Sequence, residues 1–280
     1  MLASGQTETA RIWTYVRDDR PFGGAAPPAA VYYYSRDRRA EHSLAHLADY
    51  SGIFQADAYG GYNGLYDLTR SPGPIFEAAC WVHARRPFFI LADLAANARR
   101  KAQGKTAVIS PLAFEAVRRI DALFEIERTI NGQNADQRRE VRQQLSAPLV
   151  ADLEVWLREQ RAKLSRGNDV AKAMDYMLKR WAAFTRFLDD GRICLSNNAA
   201  ERAVRGIALG RKSWLFCGSD RGGERAAFMY GLIVTAKMND VDPQAWLADV
   251  LARIAELPQS RLHELLPWNW NTARHQKQAA

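Results

Sequence analysis

The chain has 280 residues, with 39 Lys and Arg against 31 Asp and Glu, a formal net charge of +8, and 48% hydrophobic residues. That is enough chain to bury one large core or two smaller ones. No apolar run reaches the roughly 18 residues a membrane helix requires. The opening Met1–Glu8 lacks the apolar core of a secretory signal, and three scattered cysteines (Cys80, Cys194, Cys217) are not a disulfide framework. A reducing, cytoplasmic setting is expected, with no membrane partner. The basic balance favours a polyanionic partner through phosphate neutralisation and counterion release.

In chain order, Arg11–Val16 and Ala30–Ser35 are rich in β-branched and aromatic residues and are separated by a Gly/Pro stretch from Pro21 to Pro28. They read as a β-hairpin with a long loop. Glu41 to Tyr50 has apolar residues at helical spacing, and the short run Gly52–Ala56 reads as a strand ending on Asp57. A helix, strand, helix order is predicted between Tyr62 and Arg86. From about 88 to 190 the pattern changes to helical throughout: Phe114, Val117, Ile120, Leu123, Phe124 and Ile126 recur at helical intervals, as do Leu149, Leu153, Trp156 and Leu157, then Met174, Met177, Leu178, Trp181 and Phe184. Asn131-Gly132 and Arg166-Gly167-Asn168 are candidate breaks. From Gly191 onward a loop, a helix through Glu201, a Gly-rich turn and a long amphipathic helix are expected. Asp242-Pro243 then starts a last helix that ends before Pro258.

Two acids carry candidate chemistry. Asp57, at a strand end beside Gly60-Gly61, suits a hard divalent cation, which takes oxygen ligands; the same pattern also fits an Asp that opens a turn. Glu201 follows Asn197-Asn198 and fits either a second metal ligand or a capping-box glutamate. Arg202 and Arg205, three apart, share a helix face suited to phosphate. Cys80 and His83 have the spacing of half a zinc site without a matching second pair, so Cys80 and Trp81 are expected to pack inward. His83, Arg85 and Arg86 are then expected to face the site or DNA. In Ser219–Ala227, two glycines between Arg221 and Arg225 would let backbone approach a phosphate, or would simply form a solvated turn.

The order of these features is more specific than any one of them. Asp57 at its strand end, the Cys-Trp-x-His-x-Arg-Arg run from Cys80, Asn-Asn-x-x-Glu-Arg-x-x-Arg from Asn197 and Gly-Gly-Glu-Arg-Ala-Ala from Gly222 together resemble the transposases of the insertion-sequence 66 family, from about Arg11 to Trp270. The resemblance implies an α/β fold: an RNase H-like mixed sheet in two parts (11–87 and 191–235), a helical insertion (88–190) and a helical C-terminal element (236–280). It implies metal-dependent DNA strand cleavage and transfer, with Asp57 as the second catalytic Asp, Glu201 as the catalytic Glu, and Mg²⁺ or Mn²⁺ as the metal. It implies His83, Arg85, Arg86, Arg202, Arg205, Arg221 and Arg225 as DNA contacts, and terminal inverted repeats and target DNA as partners. A homo-oligomer and other proteins of the element are further partners of such a system.

The family's first Asp lies on an opening strand in an Asp-Glu-Thr setting. Residues 1–17 hold no Asp and a single acid, Glu8, while Asp18 and Asp19 follow a strand that reads as the second. The chain is therefore expected to lack the first strand with its ligand, and to be impaired or inactive in cleavage. The alternative function is a DNA-binding or protein-interaction module without turnover.

Overall fold

The computed structural model describes residues 8–92, 99, 102–104, 110–214 and 216–270. Part of the predicted helical block, between Ala92 and Ser110, lies outside them. The chain forms two compact units: one from residues 1–20, 25–47 and 198–280, the other from 21–24 and 48–197.

In the first unit, β1 (Arg11–Arg17) and β2 (Ala29–Ser35) pair antiparallel from Arg11↔Ser35 to Arg17↔Ala29. Alternation sends Ile12, Val16, Ala30, Tyr32 and Tyr34 to one face. That face is covered by two helices, α8 (Asn198–Trp214) and α9 (Asp220–Met238). The Tyr32 hydroxyl donates to the Ala203 carbonyl at 2.8 Å, and the Thr235 hydroxyl both accepts from Ala30 N–H and donates to its carbonyl, at 3.1 Å each. The opposite face carries Trp13, Tyr15 and Tyr33, against which the short helix α1 (Ala40–His46) sets its histidines: His46 stacks on Tyr33 at 4.1 Å between centroids.

The Gly-rich turn expected at Ser219–Ala227 is corrected by the structure. Ser219 caps α9, accepting from Gly222 N–H at 3.1 Å, and both glycines lie in the helix's first turn. A Cβ on Gly223 would stand 2.3 Å from the Tyr34 ring, and one on Gly222 would stand 1.9 Å from the Cys217 carbonyl oxygen. These glycines permit close packing, and Gly223, Ala227 and Gly231 continue the small stripe at four-residue spacing. The helix from Asp242-Pro243 is observed as α10 (Pro243–Arg253), with Asp242 accepting from Ala245 N–H at 2.7 Å. Trp246 and Trp270 bury with Ala236 and Val241, and their indole N–H groups reach the Leu265 carbonyl at 2.8 Å and Asp249 at 2.9 Å.

In the second unit, β3 (Gly52–Ala56) pairs parallel with β4 (Ile75–Ala79), and a 3₁₀ segment (Gly60–Tyr66) lies in the connection where a helix was predicted. The helices α2 (Trp81–Leu91), α3 (Pro111–Thr129), α4 (Ala135–Val141), α5 (Ala147–Ala162), α6 (Asp169–Leu178) and α7 (Trp181–Thr185) form the rest, with a π-helical stretch (Arg142–Ser146) joining α4 to α5. Their core centres on Trp81, whose ring meets Phe184 and Phe187 edge-on and whose indole N–H donates to the Phe184 carbonyl at 3.0 Å. The helical period places Val117, Ile120 and Leu123, then Leu153 and Leu157, in this core; Phe114 and Leu149 are exposed instead. Both predicted breaks are present, with Gly132 at φ +83° and Asn168 capping α6.

The class is therefore mixed α/β with small sheets. The described strands form two separate two-stranded sheets, one antiparallel and one parallel, where a single mixed sheet was expected. Among the described residues, no helix is long and apolar enough to cross a membrane.

Candidate active site

Asp57 follows directly on the last residue of β3, half-buried, at the C-terminal end of the parallel pair. Its carboxylate accepts from Tyr59 N–H at 3.3 Å, and Ala58 between them takes φ 60°, so the chain turns sharply as it leaves the strand. The turn reading is thus observed directly, with one carboxylate oxygen accepting the turn's bond. The Asp57 carbonyl accepts from the Tyr176 hydroxyl at 3.0 Å, which ties the strand end to α6. Burial, followed by the Asp57 charge, pushes the Tyr176 phenol up to about 12, so it stays a hydrogen-bond donor at neutral pH.

Beside Asp57 lies a polar group that local sequence patterns do not announce. Glu77 of β4 pairs with Arg180, whose guanidinium also donates to Asn63 at 2.9 Å, and Arg186 donates to the Glu77 carbonyl at 2.9 Å. Tyr66 is held protonated here by burial and by the Glu77 charge. These contacts join residues more than a hundred positions apart, which no short motif could signal.

Glu201 lies in the first turn of α8, in the other unit, and is exposed. The helix opens at Asn198, so Asn197 takes the capping place and Ala200 the third helical position; Glu201 is one residue past the place a capping-box glutamate occupies. The Asn197 Oδ1 is buried with no hydrogen-bond partner among the described residues. Arg202 and Arg205 are exposed on the same helix, as are Arg221 and Arg225 on α9 and Arg86 on α2. Arg85 differs, because its guanidinium fork is engaged by Asp121 of α3 at 2.6 and 2.8 Å. His83 is half-buried, and Cys80 and Trp81 are buried as expected.

Asp18 and Asp19 are committed elsewhere. Arg20 grips Asp18 with two donors at 2.8 and 2.9 Å and holds its carboxyl below the usual range, while Arg17 pairs with Asp19 at 3.1 Å. Among the described residues, Cys80 and His83 belong to no metal-sized cluster; Asp37, Glu41 and His42 do form one, with ligand atoms within 4.8 Å of one another. Arg39 lies 3.4 Å from Asp37 and 3.9 Å from Glu41 and already balances that charge. Asp57 and Glu201, in different units, belong to no such cluster among the described residues.

A family model described as "Transposase IS66 family" matches residues 1–225, and a second, "IS66 C-terminal element", matches residues 231–268. Three uncharacterized proteins of Sinorhizobium fredii are similar: y4hP at 58% identity over 97% of this chain, y4qI at 39% over 95% and y4jD at 37% over 95%. The chain spans about half the length of these relatives, 49%, 48% and 50% respectively. No solved structure matches. With these matches running through both units, the chain belongs to the IS66 transposase family.

Proposed function

We propose that the chain carries part of the metal-dependent DNA strand cleavage and transfer machinery of an IS66 transposase, with Asp57 and Glu201 as the second and third acids of the site. The observation that carries this reading is Asp57 itself: a carboxylate at the C-terminal end of a parallel strand, held by a turn and left with oxygen lone pairs to offer. In this reading the bound Mg²⁺ or Mn²⁺ would activate the attacking oxygen and stabilise the leaving one. The residues of the chain itself hold and orient it. Tyr176 fixes the backbone of Asp57, and the exposed Arg202, Arg205, Arg221, Arg225 and Arg86 meet DNA phosphates, with His83 beside them. Arg85 is assigned first to Asp121, and DNA would reach it only through that pair. An RNase H-like ancestry of the strands belongs to the same proposal.

Asp18 and Asp19 are each engaged by a neighbouring arginine and are not assigned to the site. The exposed arginines favour, as a second reading, salt-sensitive DNA binding without turnover. Purified chain incubated with terminal-inverted-repeat DNA and Mn²⁺ separates the two. Cleavage abolished by Asp57→Asn or Glu201→Gln is expected from the first reading, and little or no cleavage, with DNA binding that weakens steeply as salt rises, from the second. Cleavage indifferent to both substitutions would remove them from the site.

A further inference from the structure

The stretch from Phe187 to Asn197, which leads into the helix bearing Glu201, is gripped from two sides within the second unit. On one side Glu127, Arg138 and Arg142 form a cluster almost sealed from solvent, with side-chain exposures of 12%, 2% and 0%. Glu127 accepts from Arg142 at 2.7 and 2.8 Å and from Arg138 at 3.2 Å. The remaining donors of the two guanidiniums go mainly to this stretch. Arg142 donates to the carbonyls of Phe187, Asp190 and Ile193 at 2.8, 3.1 and 2.7 Å, and Arg138 donates to that of Gly191 at 2.8 Å. Gly191 lies so close to α4 that a Cβ would stand 1.8 Å from the Ala135 carbonyl oxygen.

On the other side the strands hold it. The Gln55 amide of β3 donates to the Cys194 carbonyl, and Trp81 N–H, just past β4, donates to the Leu195 carbonyl at 2.8 Å. Gln55 stands two positions before Asp57, so the residue that holds this stretch and the residue read as a metal ligand occupy one strand end. Stability alone is a weak reason for two buried guanidiniums on one carboxylate, because desolvation offsets most of their attraction and apolar side chains of similar volume would serve as well. What the arrangement supplies is a fixed path for a segment that has no sheet or long helix to satisfy its carbonyls.

We propose that Gln55, together with the Glu127–Arg138–Arg142 cluster, acts as a positioning set for Asp57. It fixes the course of residues 187–197 against the end of β3 and thereby sets how Asp57 is offered to a divalent cation. This rests on the reading of that acid given above. The mechanism is indirect: neither Gln55 nor the arginines touch the ion, and their effect runs through backbone carbonyls.

The test uses the whole chain and Mn²⁺, with the free ion followed by its paramagnetic resonance signal and amide exchange measured in parallel. Gln55→Met keeps the volume and removes the donor. It is expected to weaken Mn²⁺ binding about tenfold, the size typical of lost outer contacts at metal sites. Exchange should quicken at Ser196 and Asn197, with the melting temperature changed by only a few degrees. Arg142→Lys, which keeps charge and loses the fork, is expected to act in the same direction, and if it fails to fold the Gln55→Met result decides. Unchanged Mn²⁺ affinity in Gln55→Met, alongside loss of binding in Asp57→Asn, would overturn the positioning role and leave the metal reading standing. Binding by the parent chain that ignores both Asp57→Asn and Glu201→Gln would overturn the metal reading, and this inference with it.

Discussion

Asp220 shows how much one side chain can organise. It opens α9, where the helix dipole favours an acid. Its carboxylate accepts from the Arg36 guanidinium and, at 2.7 Å, from the Tyr34 hydroxyl of β2. Those bonds, Arg36 first, hold its carboxyl below the ordinary value of 3.8, while burial followed by Asp220 pushes the Tyr34 phenol up to about 12. Because the folded carboxyl is the stronger acid, its contribution is complete above the ordinary carboxylate range and disappears as pH falls through the folded value. The small pairing should therefore be lost below roughly pH 4. Urea denaturation of the parent and of Asp220→Asn at pH 6 and pH 3 checks this. The stability difference between them should narrow at pH 3, and a constant difference would show that the charge of Asp220 is not what joins α9 to the hairpin.

At the level of elements, what could be read from sequence was what depends on neighbours along the chain. The hairpin of β1 and β2 showed in its alternation and its Gly/Pro loop, β3 in its short apolar run, and α3, α5 and α6 in their 3.6-residue period. Asp242-Pro243 announced its helix and Arg166-Gly167-Asn168 a break, because both are local features of the chain. Gly222-Gly223 misled for the opposite reason: locally a glycine pair means a turn, but here the requirement comes from Tyr34 and Cys217, distant or outside the helix. The same holds for Arg138 and Arg142, whose burial depends on carbonyls some fifty positions away, and for the parallel partnership of β3 with β4. Asp57 was legible as a strand-end acid, whereas Glu77, Tyr176 and Arg180 around it were not. The helix packing supplies its own check. Gly223→Ala should destabilise the chain by about 1–3 kcal/mol through overpacking against Tyr34. Gly206→Ala in α8, where a Cβ meets nothing within 4 Å, should stabilise by roughly 0.5–1 kcal/mol. Equal effects of the two in urea denaturation would mean that the Gly223 contact is not tight.

For the molecule as a whole, family membership is carried by both units and by the C-terminal element, since the two family models together extend from residue 1 to residue 268. Asp57 and Glu201 belong to different units. The proposal that the molecule holds DNA, whether or not it cleaves, rests on its basic excess and on the exposed arginines of α2, α8 and α9. What separates the metal-binding reading from the purely DNA-binding one is where a divalent cation goes. Crystals of the whole chain soaked in Mn²⁺ and measured for anomalous scattering answer this directly. The expected result is a peak coordinated by the carboxylates of both Asp57 and Glu201, absent in Asp57→Asn; a peak only at Asp37, Glu41 and His42, or none at all, would contradict the assignment of the two acids.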